Sequence, residues 1–383
     1  MNARVEGIYR ELKKSLSEQG DLETKLLELR RFKKSHVREW ESELLDQSLE
    51  LETVMLRLTD LADAVLIATL DLAREELSQT YGLPRCKDND GNYVASQLAV
   101  IGMGKLGGAE LHFYSDLDLI FIYSRNGETQ GRKPISNREY FAKLVQRLIS
   151  YLTLPTREGA VYKIDTELRP SGNAGALVTA LDSWITYYHE YAAHWERQAL
   201  LKARLIQAGG NFGEDFRGLF RRLIFLKPFP ESLASEIHHL RMRIEKELAK
   251  EGPRRWHFKK GMGGVVDIEF IVQFLQMKLG KIFENLVTPN TLKALERFDQ
   301  RGILPKAEVQ TLREAYVFYR TLEIVLEAEF DLKEGYLDLE HERLEELAGK
   351  LSLPNKENLV GIFGEYRRKV REIYLRTLKM TEG

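Results

Sequence analysis

Cysteine is almost absent: Cys86 is the single one in 383 residues. One thiol excludes a disulfide framework and a cysteine-built zinc site, and it fits a reducing, cytoplasmic setting. Proline is scarce too, at 10. With abundant Leu, Glu, Arg and Lys, that scarcity favours helices. There is no surplus charge of either sign. Lys plus Arg is 57 and Asp plus Glu is 58, a formal net charge of −1. A dedicated nucleic-acid binder would show a basic excess, so no nucleic-acid partner is expected, while a local basic patch stays open. No apolar run approaches the roughly 18 residues of a membrane span. The opening segment MNARVEGIYRELKK has no apolar stretch behind its charges. Neither a membrane span nor a signal peptide is expected. The histidines offer no zinc motif: His189 and His194 are five apart, His238 and His239 are adjacent, and no H-E-x-x-H exists.

What is present reads as a globular chain, 43% hydrophobic and 30% charged. Its length suits two or three domains. Over 51–72 the residues Leu51, Val54, Leu58, Leu61, Val65 and Leu72 keep a three-four spacing that predicts one face of a helix. The pattern stops at Gly82 and Pro84, and a polar, turn-rich stretch follows over 87–92. The character changes at Gln97. Leu98–Gly102 and Leu117–Tyr123 read as buried strands around a glycine cluster. Residues 138–152 read as a helix, 160–166 as a third strand and 176–179 as a fourth. From Asp182 onward only helical patterns are visible. The expected fold is α+β and predominantly helical. Its parts are a helical region (1–95), a small mixed-sheet core (96–215) and a helical bundle (216–383).

The densest stretch is IGMGKLGGAELHFYSDLDLIFIY, residues 101–123. Gly102, Gly104 and Gly107 satisfy G-x-G-x-x-G, the dinucleotide fingerprint. The context fails, because the next strand begins about ten residues later, too soon for a crossover helix. A Walker loop fails as well, since Leu106 follows Lys105 where Ser or Thr is needed. A second reading starts from Asp116 and Asp118. Alternation on a strand puts both carboxylates on one face, about 6.6 Å apart, with Leu117 and Leu119 pointing the other way. Hard Mg²⁺ ions want such oxygens, and a pair of ions can clamp the attacking and leaving oxygens of a phosphoryl-type transfer. Gly107 and Gly108 allow close backbone approach to phosphate, and Ser115 adds a hydroxyl. Asp165, ending the third strand, is the natural third carboxylate, as metal ligand and base. Lys105, Arg169, Lys202 and Arg204 are the nearest cations, either phosphate contacts or else surface charges or salt-bridge partners. Asp267 lies in the first turn of an apolar helix. There it either favours the helix dipole or sits at an active-site rim.

These residues carry a family resemblance. Residues 102–123 resemble the signature of the nucleotidyltransferase superfamily, in the variant found in glutamine synthetase adenylyltransferases. Residues 165–179 (DTELRPSGNAGALVT) resemble its second motif, 195–204 (WERQALLKAR) its third and 263–271 (GGVVDIEFI) its fourth. Residues 29–33 (LRRFK) and 58–73 fit its helical lead-in. The family is bifunctional, with one half attaching AMP to a tyrosine of glutamine synthetase and a related half removing it by phosphorolysis. The second and fourth motifs resemble the adenylylating, C-terminal half. The resemblance implies ATP as substrate, Mg²⁺ (two ions) at Asp116, Asp118 and Asp165, glutamine synthetase as protein substrate, and PII-type signalling proteins as possible partners. One departure stands out: Glu167 occupies a position where the family commonly has Arg, and strand alternation would set its charge beside Asp165.

Overall fold

The computed structural model describes residues 2–46, 48–88, 90–216, 218–332 and 335–380. The fold is α+β and predominantly helical. The chain divides into two compact units, residues 1–42 with 52–226, and residues 43–51 with 227–383. The N-terminal helices fall in the same unit as the strands, where the sequence suggested a separate region over 1–95.

The first unit opens with α1 (Ala3–Ser17), α2 (Leu22–Leu45) and α3 (Leu51–Tyr81). The α3 stripe is buried at Leu51, Val54, Leu58, Leu61 and Val65, as its spacing requires. A small antiparallel sheet follows, with β1 (Pro84–Lys87) at its centre. It pairs with β2 (Tyr93–Ala95) and later with β5 (Glu128–Thr129). The polar stretch at 87–92 is thus a hairpin turn, closed by the Asp88 N–H donating to the Asn92 carbonyl at 2.9 Å.

The main sheet contains β3 (Leu98–Gly102), β4 (Leu117–Tyr123), β6 (Ile164–Asp165), β7 (Thr179–Ala180) and β8 (Arg204–Ala208). Its order is β6-β4-β3-β8, with β7 beside the far end of β4. β3 pairs antiparallel with both β4 and β8, and β4 pairs parallel with β6 and β7. Every residue of β3 is buried, which is why its sequence reads as an unbroken apolar run. The five-residue helix α4 (Gly104–Gly108) joins β3 to β4. The antiparallel β3–β4 pair is incompatible with the parallel β-α-β unit that a dinucleotide fingerprint needs. Helix α5 (Asn137–Thr153) starts at Ser136, whose hydroxyl accepts from the Glu139 N–H, and buries Tyr140, Phe141, Leu144, Val145, Leu148 and Leu152. Next come α6 (Leu181–Glu190), α7 (His194–Ala199), α8 (Phe212–Asp215) and α9 (Leu219–Ile224).

Three strand assignments need correction. The fourth strand, expected over 176–179, is β7 at Thr179–Ala180. The third strand shrinks to two residues, because the Val161 and Tyr162 N–H groups both donate to the Leu152 carbonyl and bend the chain away from β4. β8 lies where only helix was expected. It follows directly on a helical turn, and its partner β3 is about a hundred residues upstream, so nothing local marks it.

The second unit holds α10 (Leu233–Ile244), β9 (Arg255–His257), α11 (Val265–Leu279), α12 (Thr291–Gln300), α13 (Lys306–Phe330), β10 (Tyr336–Asp338), α14 (Leu344–Lys350) and α15 (Lys356–Leu378). The β9–β10 antiparallel pair again escapes a helix-only reading. α11 is apolar nearly all round and buried. Its buried Gln276 donates to the carbonyls of Leu286 and Thr288 at 3.0 and 2.8 Å, which satisfies the amide.

Candidate active site

The turn from β3 into β4 is organised by glycine. Met103 is extended, and its N–H donates to the Asp118 carbonyl at 2.9 Å. Gly104 follows with φ +53°, in the left-handed region. A Cβ there would lie 2.3 Å from Asp118 Oδ2, so the carboxylate rests on bare glycine backbone. Gly107 serves a different purpose. Its N–H donates to the Met103 carbonyl at 2.8 Å, and a Cβ would lie 1.7 Å from the Lys202 carbonyl oxygen. Gly107 and Gly108 are buried. At Gly107 the missing Cβ lets α4 pack on the chain behind it.

Asp118 and Asp165 are register partners in the parallel β4–β6 pair. Neighbouring strands lie about 4.8 Å apart, so the two carboxylates leave the sheet side by side. Asp116 stands one residue before β4 and is exposed. Leu117 and Leu119 are buried, as alternation predicts. Asp165 Oδ1 accepts the Glu167 N–H at 2.7 Å. As a set, the three carboxylates do not close to within 4.8 Å of one another. They line one sheet edge. Ser115 Oγ accepts the His112 N–H at 3.0 Å and shapes the turn that delivers Asp116. Oxygen-only donors in register, over a cradle that a Cβ at residue 104 would fill, fit a hard divalent cation.

The four cations separate. Lys202 is buried against Glu110, with Nζ 2.5 Å from Oε2. Arg204 grips both oxygens of the buried Asp63, at 2.6 and 3.0 Å, and donates to the Leu106 carbonyl at 3.0 Å. Burial raises the Asp63 pKa, and the Arg204 contact opposes that rise. Both cations are engaged with buried acids. The third motif runs directly behind α4, and both side chains are spent holding that turn. Arg169 organises its own loop. It donates to the Thr166 carbonyl and hydroxyl at 2.7 and 2.8 Å, to Asn173, and to the Gly175 carbonyl. The loop is tight: Ser171 and Gly172 have φ of +62° and +55°. Lys105 is half-buried in α4, next to Gly104.

Glu167 does not stand beside Asp165 as alternation suggested. The strand ends at Asp165, and the Glu167 side chain accepts from Asn173 Nδ2 at 2.7 Å inside the loop.

Sequence reasoning passed over Asp63, Glu110, Arg30 and Lys33 as site residues. Arg30 is buried and takes only carbonyl partners: Leu26, Tyr151, Leu154 and Gly159. Lys33 donates to the Val161 carbonyl at 2.6 Å and lies 3.9 Å from the centre of the Tyr162 ring. Burial pushes the Lys33 ammonium down to about 8. Together they hold the segment that delivers β6 and Asp165. The available signal was a pair of cations among the apolar positions of α2.

In the second unit, the fourth motif forms a closed ion cluster. Asp267 is fully buried, pairs with Arg241 and, at 3.4 Å, with Arg371, and accepts the Gly263 N–H at 2.8 Å. Gly263 has φ +66°, and a Cβ there would meet the Arg367 carbonyl oxygen at 1.8 Å. Asp267 is therefore a core ion-pair residue of this unit.

Comparison with known proteins agrees with these arrangements. A family model described as glutamate-ammonia ligase adenylyltransferase matches residues 2–218. A second, described as GlnD PII-uridylyltransferase, matches residues 234–377. A bifunctional glutamine synthetase adenylyltransferase/adenylyl-removing enzyme of Mannheimia succiniciproducens is 38% identical over 284 residues, covering 73% of this chain and 28% of the relative. One of Methylococcus capsulatus is 33% identical over 326 residues, covering 85% of this chain and 34% of the relative. The chain thus spans about a third of the length of these relatives. With the glycine turn, the paired aspartates and a family match over more than half its residues, the chain belongs to the glutamate-ammonia ligase adenylyltransferase family.

Proposed function

We propose that this chain transfers the adenylyl group of ATP to a tyrosine of glutamine synthetase, releasing pyrophosphate, in the cytoplasm. The observation that carries the reading is the registered pair Asp118 and Asp165 beside Gly104. Asp116, Asp118 and Asp165 would hold Mg²⁺, two ions by family likeness. Bound there, the metal would neutralise the triphosphate and lower the cost of charge moving to the leaving group. The protein's own part is placement. Gly104 leaves room for the Asp118 carboxylate, and the Lys202–Glu110 and Arg204–Asp63 pairs hold α4 behind it. The Arg169 loop fixes the segment after Asp165. The tyrosine oxygen forms its bond to the α-phosphorus as the bond to pyrophosphate breaks. Asp165 helps to take the hydroxyl proton. Oδ1 already accepts the Glu167 N–H, so Oδ2 is the oxygen offered. Lys105, and Arg169 if its loop opens, are the phosphate contacts we retain. Positioning and charge neutralisation supply most of the rate.

The LRPSGNAG loop at 168–175 supports the adenylylating direction through family likeness. The match of residues 234–377 to a PII-uridylyltransferase model supports a PII-type protein as regulatory partner. No helix among the described residues is long and apolar enough to cross a membrane.

The test is an assay with glutamine synthetase, labelled ATP and Mg²⁺, run beside phosphate-dependent release of AMP from adenylylated glutamine synthetase. Tyrosine-linked AMP with pyrophosphate release is the expected result. Release of ADP from the modified protein, with no incorporation, would reverse the direction. Neither reaction would leave a binding module and remove the catalytic reading.

A further inference from the structure

The cleft at the other end of β4 is large and charged. It has a volume of about 860 Å³, within the roughly 300–1,000 Å³ usual for small-molecule sites. One wall is a face of the small sheet. Register and alternation put Arg85 and Lys87 on that face, with Tyr93 opposite Lys87 and Glu128 opposite Arg85. Cys86 points the other way and is buried. Arg125 stands on the segment that leaves β4, and donates to the Lys87 carbonyl at 3.3 Å. The facing wall is the start of α6, at Ala180, Asp182 and Ser183.

Three cations meet here, and among the described residues none of them forms an ion pair. Elsewhere in this unit Lys202, Arg204 and Arg30 are spent on a carboxylate or on carbonyls. Arg85 and Lys87 face the open volume, and Arg125 lines it while giving one long bond to the Lys87 carbonyl. Two planar guanidinium forks and an ammonium match an anion with several oxygens. Tyr93, 63% exposed, adds an apolar wall. The carboxylates Glu128 and Asp182 leave a net positive lining and discourage anions too small to span the cations.

We propose that this cleft binds a small organic polyanion, carrying two or more phosphate or carboxylate groups, at a site separate from the aspartates. Asp118 and Tyr123 mark opposite ends of β4, roughly 17 Å apart at strand rise. The two sites therefore read the same strand from its two ends.

Calorimetry of the full chain, stripped of divalent metal on a chelating resin and held in metal-free buffer, tests this, with pyrophosphate and citrate titrated separately as phosphate and carboxylate probes. Removing divalent metal suppresses metal-dependent binding at the aspartates. Saturable binding of one equivalent is expected for at least one probe, with Kd about 1 mM or tighter. It should weaken at least about tenfold in the R85Q/R125Q double variant and weaken with added salt. The Asp118→Asn variant should bind as the unaltered chain does. Circular dichroism and the unfolding midpoint establish that the double variant is folded. Should it be unfolded, Lys87→Gln replaces it, with a smaller loss expected. No saturable binding of either probe, or binding unchanged by the cleft substitutions, would overturn the proposal. Loss of binding in Asp118→Asn would also overturn it, by assigning the anion to the aspartate end. None of these outcomes depends on whether adenylyl transfer is the reaction.

Discussion

Two glycine–aspartate motifs in this chain use the same ingredients for opposite ends. Gly104 and Gly263 both adopt positive φ, and each makes room for something a Cβ would strike. At Gly104 the neighbour is the Asp118 carboxylate, which stays half-buried at an open sheet edge. At Gly263 the neighbour is the backbone of Arg367, while Asp267 is sealed in with Arg241 and Arg371. Ionised groups in water-accessible edges can exchange partners. A buried carboxylate with two arginines cannot, because each partner would be left charged in a poor solvent. Partners and burial, more than motif letters, decide which aspartate does chemistry.

Substitutions sharpen the contrast, and the largest effect belongs to Asp118. Asp118→Asn is expected to lower AMP transfer at least about a thousandfold, ~4 kcal/mol of transition-state stabilisation. Its unfolding midpoint should match that of the unaltered chain. Near-normal turnover with Mg²⁺ would show that the carboxylate is not a ligand. Asp267→Asn should do the reverse. It leaves the buried Arg241 and Arg371 with Glu245 as their remaining carboxylate partner, and should cost about 3 kcal/mol in denaturant unfolding. An unfolding curve unchanged within error would mean that the cluster contributes nothing net.

Gly104→Ala comes next. The added methyl meets Asp118 Oδ2 and a strained φ. Activity should fall about a hundredfold, ~2.7 kcal/mol, with a rise in the Mg²⁺ concentration needed for half-maximal rate. A purely structural role would lower the melting temperature and leave the Mg²⁺ requirement alone. The smallest effect is a pH slope beside the Gly263 motif. Burial, helped by Lys260 and Lys259, pushes the His257 imidazole down to about 4 from an ordinary 6.5. Its Nδ1 accepts the N–H groups of Lys259 and Lys260, at 3.2 and 3.3 Å, so the ring is held neutral. Between those pH values the unfolded chain binds the extra proton. The stability contribution is therefore complete above 6.5 and declines as pH falls towards 4. His257→Asn should flatten that decline by about 1–2 kcal/mol, measured as the difference in unfolding free energy between pH 7 and 4.5.

The contrast also explains what could be read from letters alone. β3 and β4 were legible because both are continuous apolar runs bounded by glycine or a polar turn. The pairing of Asp118 with Asp165 needed only that their strands be neighbours, whereas Asp116 lies one residue outside β4, where strand alternation no longer applies. For Lys202 and Arg204 the letters left two readings open, because a cation in a motif looks the same whether it faces a phosphate or a buried acid. Their acids, Glu110 and Asp63, lie 92 and 141 residues away in sequence. β8 was hidden for the same reason. Its strand character comes from a distant partner, and the helical turn before it supplies the only local pattern.

The buried guanidinium of Arg30 has a consequence in time. Its acceptors on Tyr151, Leu154 and Gly159 lie 121, 124 and 129 residues ahead. At a synthesis rate of about 5–20 residues per second, roughly 6–25 s separate the making of α2 from the making of the carbonyls that satisfy it. Over that interval the first helices have to keep Arg30 in water and leave their inner face open. Closing so long a loop also delays the contact during refolding, since its entropy must be lost before the hydrogen bonds form. The N-terminal helices are thus the first part of this unit to be made and among the last to be locked.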